Sequence, residues 1–133
     1  MIKRIMWLML VVPGLGMAQE RSAEFTKSIQ RGALVYEDFC MNCHLANGEG
    51  VSGVYPPLAN SDFLTKNGEA SIRAVKFGMQ GEIVVNGETY NSVMAPLGLT
   101  DKEVADVMNY INTQWGNKTK KMLTEAEVAK LKK

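Results

Sequence analysis

The 133-residue sequence contains only one histidine and two cysteines, and this scarcity limits the metal chemistry that it can support. A structural zinc site takes four ligands, mostly cysteine and histidine, and only these three residues are available. A metal or cofactor site must therefore pair the single imidazole with a different type of residue.

The chain also lacks an excess of charge of either sign. It carries 15 basic and 14 acidic residues, so no overall field favours a nucleic-acid partner or an anionic lipid surface. Its apolar content of 46% is ordinary for a globular protein with a packed core. The length suits one domain and a short targeting segment.

No hydrophobic run near the start is long enough to cross a bilayer, which takes about 20 apolar residues. Lys3 and Arg4 precede a short apolar stretch, residues 5–12, and small residues follow up to Ala18. This pattern predicts an export signal over residues 1–18, with an uncleaved anchor as the alternative. Removal of the two basic residues would leave 13 basic against 14 acidic residues, a charge of about −1. We therefore expect a periplasmic protein without stable membrane insertion after cleavage.

Apolar residues recur at helical spacing from Ser28 to about Met41, which predicts an amphipathic helix. Gly32 lies inside it, and a glycine there costs about 1 kcal/mol relative to alanine, which indicates a close approach by another helix. The preceding residues, 19–27, are polar and are expected to be loose. The apolar face consists of Ile29, Ala33, Tyr36 and Cys40.

The rest of the sequence predicts a glycine- and proline-rich loop, short helices and one hairpin. Asn86-Gly87 between two β-prone runs predicts the hairpin, and Thr100 with Glu103 forms a capping box before the last long helix. We expect that helix to carry Tyr110 and Trp115 and to stop at Gly116. The expected segments are a signal peptide (1–18), a flexible segment (19–27), the main domain (28–116) and a basic tail helix (117–133) opened by a second capping box at Thr124.

Both cysteines and the histidine fall within five residues, Cys40-Met41-Asn42-Cys43-His44. This spacing is that of a c-type haem attachment site, in which two thiols reach one porphyrin and the adjacent imidazole reaches its iron. The alternatives are a disulfide, a thiol–disulfide redox motif or half of a zinc site. The redox motif needs a βαβ setting and zinc needs further ligands, so the pattern favours one covalently bound haem c.

The opposite face of the iron takes a second axial ligand or stays open; no histidine remains for it, and a methionine can serve. The candidates are Met79, Met94, Met108 and Met122. Met108 falls on the core face of the last helix and Met122 follows a lysine run, so both suit packing or surface positions. Met79 lies in a flexible stretch between glycines, whereas Met94 lies in a loop held by Pro96. We therefore favour Met94.

The chain resembles a class I c-type cytochrome over nearly all of residues 28–116. The likeness is to bacterial monohaem cytochromes c and to the cytochrome domains of nitrite reductases and dehydrogenases. It implies an all-α cytochrome c fold in which the N- and C-terminal helices cross at Gly32 around one haem, with a small β-hairpin before the axial methionine. It also implies that a loop proline carbonyl accepts a hydrogen bond from His44, for which Pro56 matches better than Pro57, and that Leu58 contacts the cofactor. The residues that carry the resemblance are Gly32, Tyr36, Cys40, Cys43, His44, Pro56-Pro57-Leu58, Met94-Ala95-Pro96, Tyr110 and Trp115.

The function that the resemblance implies is single-electron transfer by a soluble carrier between exported redox partners such as a reductase, an oxidase or a dehydrogenase. In this reading the protein is not an enzyme, and His44 and Met94 are the iron ligands. Two alternatives stay open: an electron-transfer subunit of a larger oxidoreductase, and a haem sensor or peroxidase with an open sixth position. The six lysines of the tail could steer docking to an acidic partner, or could form an ordinary solvated helix face.

Overall fold

The structure, a computed structural model, describes residues 14–133 and is mainly helical within that range. The predicted all-α fold with one small hairpin is confirmed. The predicted signal peptide falls largely on residues 1–13, which lie outside the described residues, and it stays a prediction. The elements are α1 (Gly14–Phe39), α2 (Met41–His44), α3 (Asp62–Lys66), α4 (Gly68–Phe77), β1 (Ile83–Val85), β2 (Glu88–Tyr90), α5 (Asp101–Ile111) and α6 (Glu125–Lys130).

The first helix is longer at its start than the apolar pattern predicts. It begins at Gly14 rather than at Ser28, and residues 19–27, which were expected to be loose, are helical. The pattern failed there because Ser22, Ala23 and Glu24 are all exposed, so this part has no buried face to produce a period. An ion pair of 3.0 Å between Arg31 and Glu24 spans two turns of the exposed surface. No helix of residues 14–133 is long and apolar enough to span a bilayer.

Gly32 lies where α1 and α5 cross, as predicted. A Cβ placed on Gly32 would overlap the backbone carbonyl of Asp106 and would lie 2.9 Å from the Cβ of Tyr110. Carbon atoms normally approach no closer than about 3.5 Å, so only glycine allows this contact between the two backbones. The crossing therefore depends on one missing methyl group.

A buried polar network, which the sequence pattern did not reveal, joins the same two helices. Ser28 donates a 2.6 Å hydrogen bond to Oδ1 of Asp106, and Arg31 donates two, of 2.6 Å and 2.9 Å, to the same carboxylate. Burial by itself would raise the pKa of Asp106, but the hydrogen bonds from Arg31 and Ser28 bring it below its ordinary value. Asn109 extends the network by donating to the Ser28 hydroxyl.

The hairpin forms as predicted, and its turn explains its register. Asn86 and Gly87 both have positive φ, 52° and 84°, as a type I′ turn requires. The tight turn pairs Ile83 with Tyr90 across the two strands, so their side chains share one face.

The last long helix starts at its predicted capping box but ends four residues early, at Ile111. The prediction that Trp115 lies on this helix is wrong, because the chain turns after Asn112 and Trp115 adopts a positive φ of 50°. Its ring packs 4.9 Å from Tyr36 and 5.5 Å from Tyr110, centroid to centroid. The aromatic cluster thus forms without the helical extension.

The C-terminal helix α6 packs on the same core as α5. Val128 is completely buried, and the ammonium of Lys76 donates a 2.9 Å hydrogen bond to its carbonyl, near the C-terminal end of the helix. The predicted second capping box, between Thr124 and Glu127, is present. The predicted tail helix over residues 117–133 is wrong in extent, because only α6 is helical there, and of the six exposed lysines of this segment only Lys130 lies on it. The six lysines are Lys118, Lys120, Lys121, Lys130, Lys132 and Lys133.

Candidate haem site

The two cysteines and the histidine lie at the junction between α1 and α2. Cys40 leaves the first helix in a distorted turn, and the amide of His44 donates a 2.9 Å hydrogen bond back to the Cys40 carbonyl. This single helical turn presents both thiols and the imidazole on a short arc of the chain. The cysteines are not joined in a disulfide, and burial raises the pKa of Cys40 to about 11, so its thiol is protonated at neutral pH.

His44 is oriented by the loop that follows it. Its Nδ1 lies 2.9 Å from the carbonyl oxygen of Pro56, which is the contact that the resemblance implied. A carbonyl oxygen can only accept a hydrogen bond, so Nδ1 of His44 carries the proton and the lone pair of Nε2 stays free. Burial lowers the pKa of His44, and the bond to Pro56 only partly opposes this, so the ring is neutral and able to ligate a metal.

The loop reaches this position through close backbone contacts at Gly50. Its φ is +63°, and an added Cβ would lie 2.8 Å from the carbonyl oxygen of Pro56. The amide of Gly50 donates a 3.0 Å hydrogen bond to the carbonyl of His44. The amide of Leu58 donates a 2.7 Å hydrogen bond to the carbonyl of Gly48. The glycines therefore fold the loop tightly enough to bring the Pro56 carbonyl beneath the imidazole.

An uncharged cavity of about 320 Å³ opens in front of these groups. A smaller cavity of about 70 Å³ adjoins it and leads to the core; it shares Cys40, His44 and Pro56 and is also lined by Leu58. The structure therefore gathers all six predicted site residues around two adjoining cavities that share part of their lining. The larger cavity is lined by Phe39, Cys40, Cys43, His44, Tyr55, Pro56, Met79, Gly81, Ile83, Tyr90, Ser92, Val93, Met94, Ala95 and Leu97.

Two methionines, not one, border both cavities. Met79 and Met94 form an isolated antiparallel bridge in which each amide donates a 2.8 Å hydrogen bond to the other's carbonyl. Met79 is therefore held by a neighbouring segment, although the sequence suggested a flexible stretch between glycines. Met108 is buried in the core, as expected, and Met122 is half-buried. The choice of Met94 as the sixth ligand stays a prediction.

Two hairpin residues that were not predicted as site residues, Ile83 and Tyr90, also line the larger cavity. The signal was available, since the Asn86-Gly87 turn fixes the register and places these two residues opposite each other on one face. Tyr90 is 3% exposed and its hydroxyl donates a 2.9 Å hydrogen bond to Glu88, so its ring is fixed against the cavity.

The donor set fits a covalently attached haem. Two thiols, a neutral imidazole and thioether sulfurs surround a space whose other walls are apolar, which suits thioether attachment and axial ligation by nitrogen and sulfur. Within residues 14–133 no group of three His, Cys, Asp or Glu side chains could hold a metal ion, so the zinc alternative lacks ligands there.

The sequence model of the family described as Cytochrome c matches residues 29–115, which include the attachment motif and Met94. The chain belongs to the cytochrome c family. The cofactor of this cytochrome is accordingly one covalently bound haem c, and its role is to carry electrons.

Similar proteins include a cytochrome c-552 and cytochrome c subunits of dehydrogenases. This cytochrome is 38% identical to cytochrome c-552 of Thermus thermophilus over 140 residues, which cover 98% of this chain and 87% of that protein. It is 34% identical to the cytochrome c subunit of a quinone alcohol dehydrogenase from Gluconacetobacter polyoxogenes, covering 76% of this chain but 22% of the subunit. The cytochrome c subunit of gluconate 2-dehydrogenase from Pantoea cypripedii is also 34% identical, over 78% of this chain and 24% of the subunit.

Proposed function

We propose that this cytochrome is an exported carrier that passes single electrons between redox proteins in the periplasm and does not itself transform a substrate. The observation that supports this is the cavity, where an imidazole and methionine thioethers border the same uncharged space. Ligands on both faces of the iron would leave no position for a substrate. The bound haem would supply the one-electron chemistry, since its iron changes oxidation state without making or breaking bonds to another molecule.

In this proposal the chain's own residues bind, orient and shield the cofactor. Cys40 and Cys43 would form the thioether bonds, and His44 would ligate the iron through Nε2. The hydrogen bond from Nδ1 to Pro56 fixes the ring plane and makes the imidazole a stronger donor. Met94 would be the sixth ligand. Leu58 would pack against the cofactor, where the inner cavity reaches the core.

The apolar walls have a second role, which is to keep water away from the iron. No Asp, Glu, Lys or Arg side chain lines the larger cavity, and Tyr90 closes one side with its hydroxyl already bonded to Glu88. A low-dielectric surrounding disfavours the oxidised form with its extra positive charge and so raises the reduction potential, as does a thioether ligand. Both effects suit a carrier that accepts electrons readily.

The first test combines mass, redox stoichiometry and ligand binding. The protein is produced in a bacterium that has the haem attachment machinery, and its intact mass should equal the mature chain plus one haem. A reductive titration should consume one electron per chain, and the reduced protein should resist carbon monoxide. The Cys40→Ala/Cys43→Ala variant is the control, because any haem it retains should be extracted by acidified solvent. Rapid carbon monoxide binding would contradict the proposal of an electron carrier and would favour a haem sensor or peroxidase.

A second candidate is an electron-transfer subunit of a larger oxidoreductase. It is favoured by the relatives named as cytochrome c subunits of dehydrogenases, of which this chain would correspond to about a quarter or less. Gel filtration of the native protein from its own cells separates the candidates. A free carrier elutes near the 14.7 kDa calculated for the whole chain, whereas a subunit elutes with its complex.

A further inference from the structure

The bridge between Met79 and Met94 places two thioether side chains on the same face. The residues exchange both amide-to-carbonyl hydrogen bonds, each 2.8 Å long, so they are directly opposite one another in an antiparallel pair. Opposite residues in such a pair have Cα atoms about 5.5 Å apart and side chains on one side of the ribbon. The two methionines therefore extend in parallel from neighbouring points of the backbone.

Both side chains border the same space as His44. Met79 and Met94 line the larger cavity and also the inner cavity that leads to the core. Each is half-buried, so neither is enclosed in the core as Met108 is. Methionine is unbranched with three rotatable bonds, so two sulfurs that start from adjacent backbone positions can reach a common point between them.

The bridge is held firmly at its Met79 end. Helix α4 ends at Phe77 and is followed by Gly78, whose amide donates a 2.9 Å hydrogen bond to the carbonyl of Ala74 and whose φ of +79° turns the chain towards Met94. An added Cβ at Gly78 would lie 2.7 Å from the carbonyl oxygen of Met94 and 2.9 Å from the backbone nitrogen of Pro96. The end of α4 is thus packed directly against the Met94 loop, and loss of one side chain would leave the other in place.

We propose that the sixth coordination position is shared: Met94 is the resident ligand, and Met79 ligates the iron when the Met94 sulfur is absent. The proposal rests on the proposed function, in which the iron has a methionine ligand. The proposal gives Met79 the role of an alternative iron ligand. Neither the attachment motif nor the loop before α5 indicates this role. The bond formed is a coordinate bond from the neutral thioether, so no electron or proton is transferred.

The test compares Met94→Leu, Met79→Leu and the double variant, with Met122→Leu as a matched control on the tail. Met-to-Leu exchanges nearly conserve volume, so the fold should survive, and intact mass checks that haem stays attached. The readouts are the weak far-red absorption band of an oxidised haem with a thioether ligand, and carbon monoxide binding to the reduced protein. We expect the band in both single variants and in the control. In the double variant we expect the band to disappear and carbon monoxide binding to accelerate at least tenfold.

The contrary outcomes separate this inference from the proposed function. If Met94→Leu alone matches the double variant while Met79→Leu is unchanged, the shared position is refuted and Met94 remains the ligand. If Met79→Leu alone loses the band, both the shared position and the assignment of Met94 are wrong. If the band survives in the double variant, another residue is the ligand and both are refuted as well.

Discussion

The substitution Gly32→Ala tests the helix crossing on which the fold depends. In an isolated helix the exchange would stabilise by about 1 kcal/mol, because alanine loses less backbone entropy. Here the new methyl would lie 2.5 Å from the carbonyl carbon of Asp106 and 2.9 Å from the Cβ of Tyr110. These contacts are about 1 Å shorter than van der Waals contact, and both neighbours are fixed in α5, so the helices must separate.

Separation would also stretch the hydrogen bonds that cross the interface. Ser28 and Arg31 hold the carboxylate of Asp106 at 2.6 Å, and hydrogen bonds to charged groups contribute about 1.5–3 kcal/mol each. Overpacking alone costs about 1–3 kcal/mol. Partial loss of the hydrogen bonds outweighs the helix preference of alanine, and we expect a net loss of about 3 kcal/mol, or a fall in Tm of roughly 10 °C.

The assay is thermal unfolding of the haem-loaded protein followed by far-ultraviolet circular dichroism. Gly68→Ala is the matched control, since Gly68 begins α4 and an added Cβ there meets nothing within 4 Å. We expect this control to unfold within about 0.5 kcal/mol of the unmodified protein. If Gly32→Ala is as stable as Gly68→Ala, the close crossing is not what limits this position and the reasoning fails.

Three further predictions concern the C-terminal segment. Asn109→Ala removes 2.8 Å hydrogen bonds to both the carbonyl and the amide of Leu123, and should cost about 2–4 kcal/mol in urea unfolding, because these backbone groups then lose their partner. Lys76→Met should cost about 1–3 kcal/mol by removing both the bond to the carbonyl of Val128 and the 2.7 Å ion pair with Asp101, whereas Lys102→Met, at an exposed position, should change the urea midpoint little. Hydrogen bonds from the amide and hydroxyl of Thr124, then one from Lys121, lower the pKa of Glu127 to about 2. Its stabilisation of α6 is therefore complete above pH 4.5 and lost as the pH falls towards 2. The protection factors of the α6 amides, in which the slower intrinsic exchange at acidic pH is divided out, should fall over that window unless Thr124→Ala has already removed the cap.

The sequence predicted the features that are set by local chemistry. The attachment motif needs residues within five positions, each capping box needs a hydroxyl and a carboxylate three apart, and the hairpin needs two residues that tolerate positive φ. All of these lie in the structure where the residue types placed them. Gly32 was also informative, because a glycine inside a helical pattern has few explanations other than a close contact.

The features that the sequence missed depend on partners far along the chain. Ser28 and Asn109 are ordinary polar residues until the crossing of α1 and α5 brings them within 2.8 Å, 81 positions apart. Trp115 continues the apolar period of α5, yet it lies beyond the helix with a positive φ and packs on Tyr36, 79 positions earlier in the chain. The pairing of Met79 with Met94 likewise spans 15 positions and follows from the end of α4, which no local pattern describes.

The burial of Val128 in the common core bears on how this cytochrome could be used as a portable module. A shortened version that stops at Gly116 would contain the whole attachment motif and every proposed ligand. It would nevertheless expose the apolar side of α5 to water and leave Asn109 without its bonds to Leu123. A fusion that transplants this domain onto another enzyme must therefore carry residues 117–133 along, and a flexible linker is best attached after Lys133 rather than in place of α6.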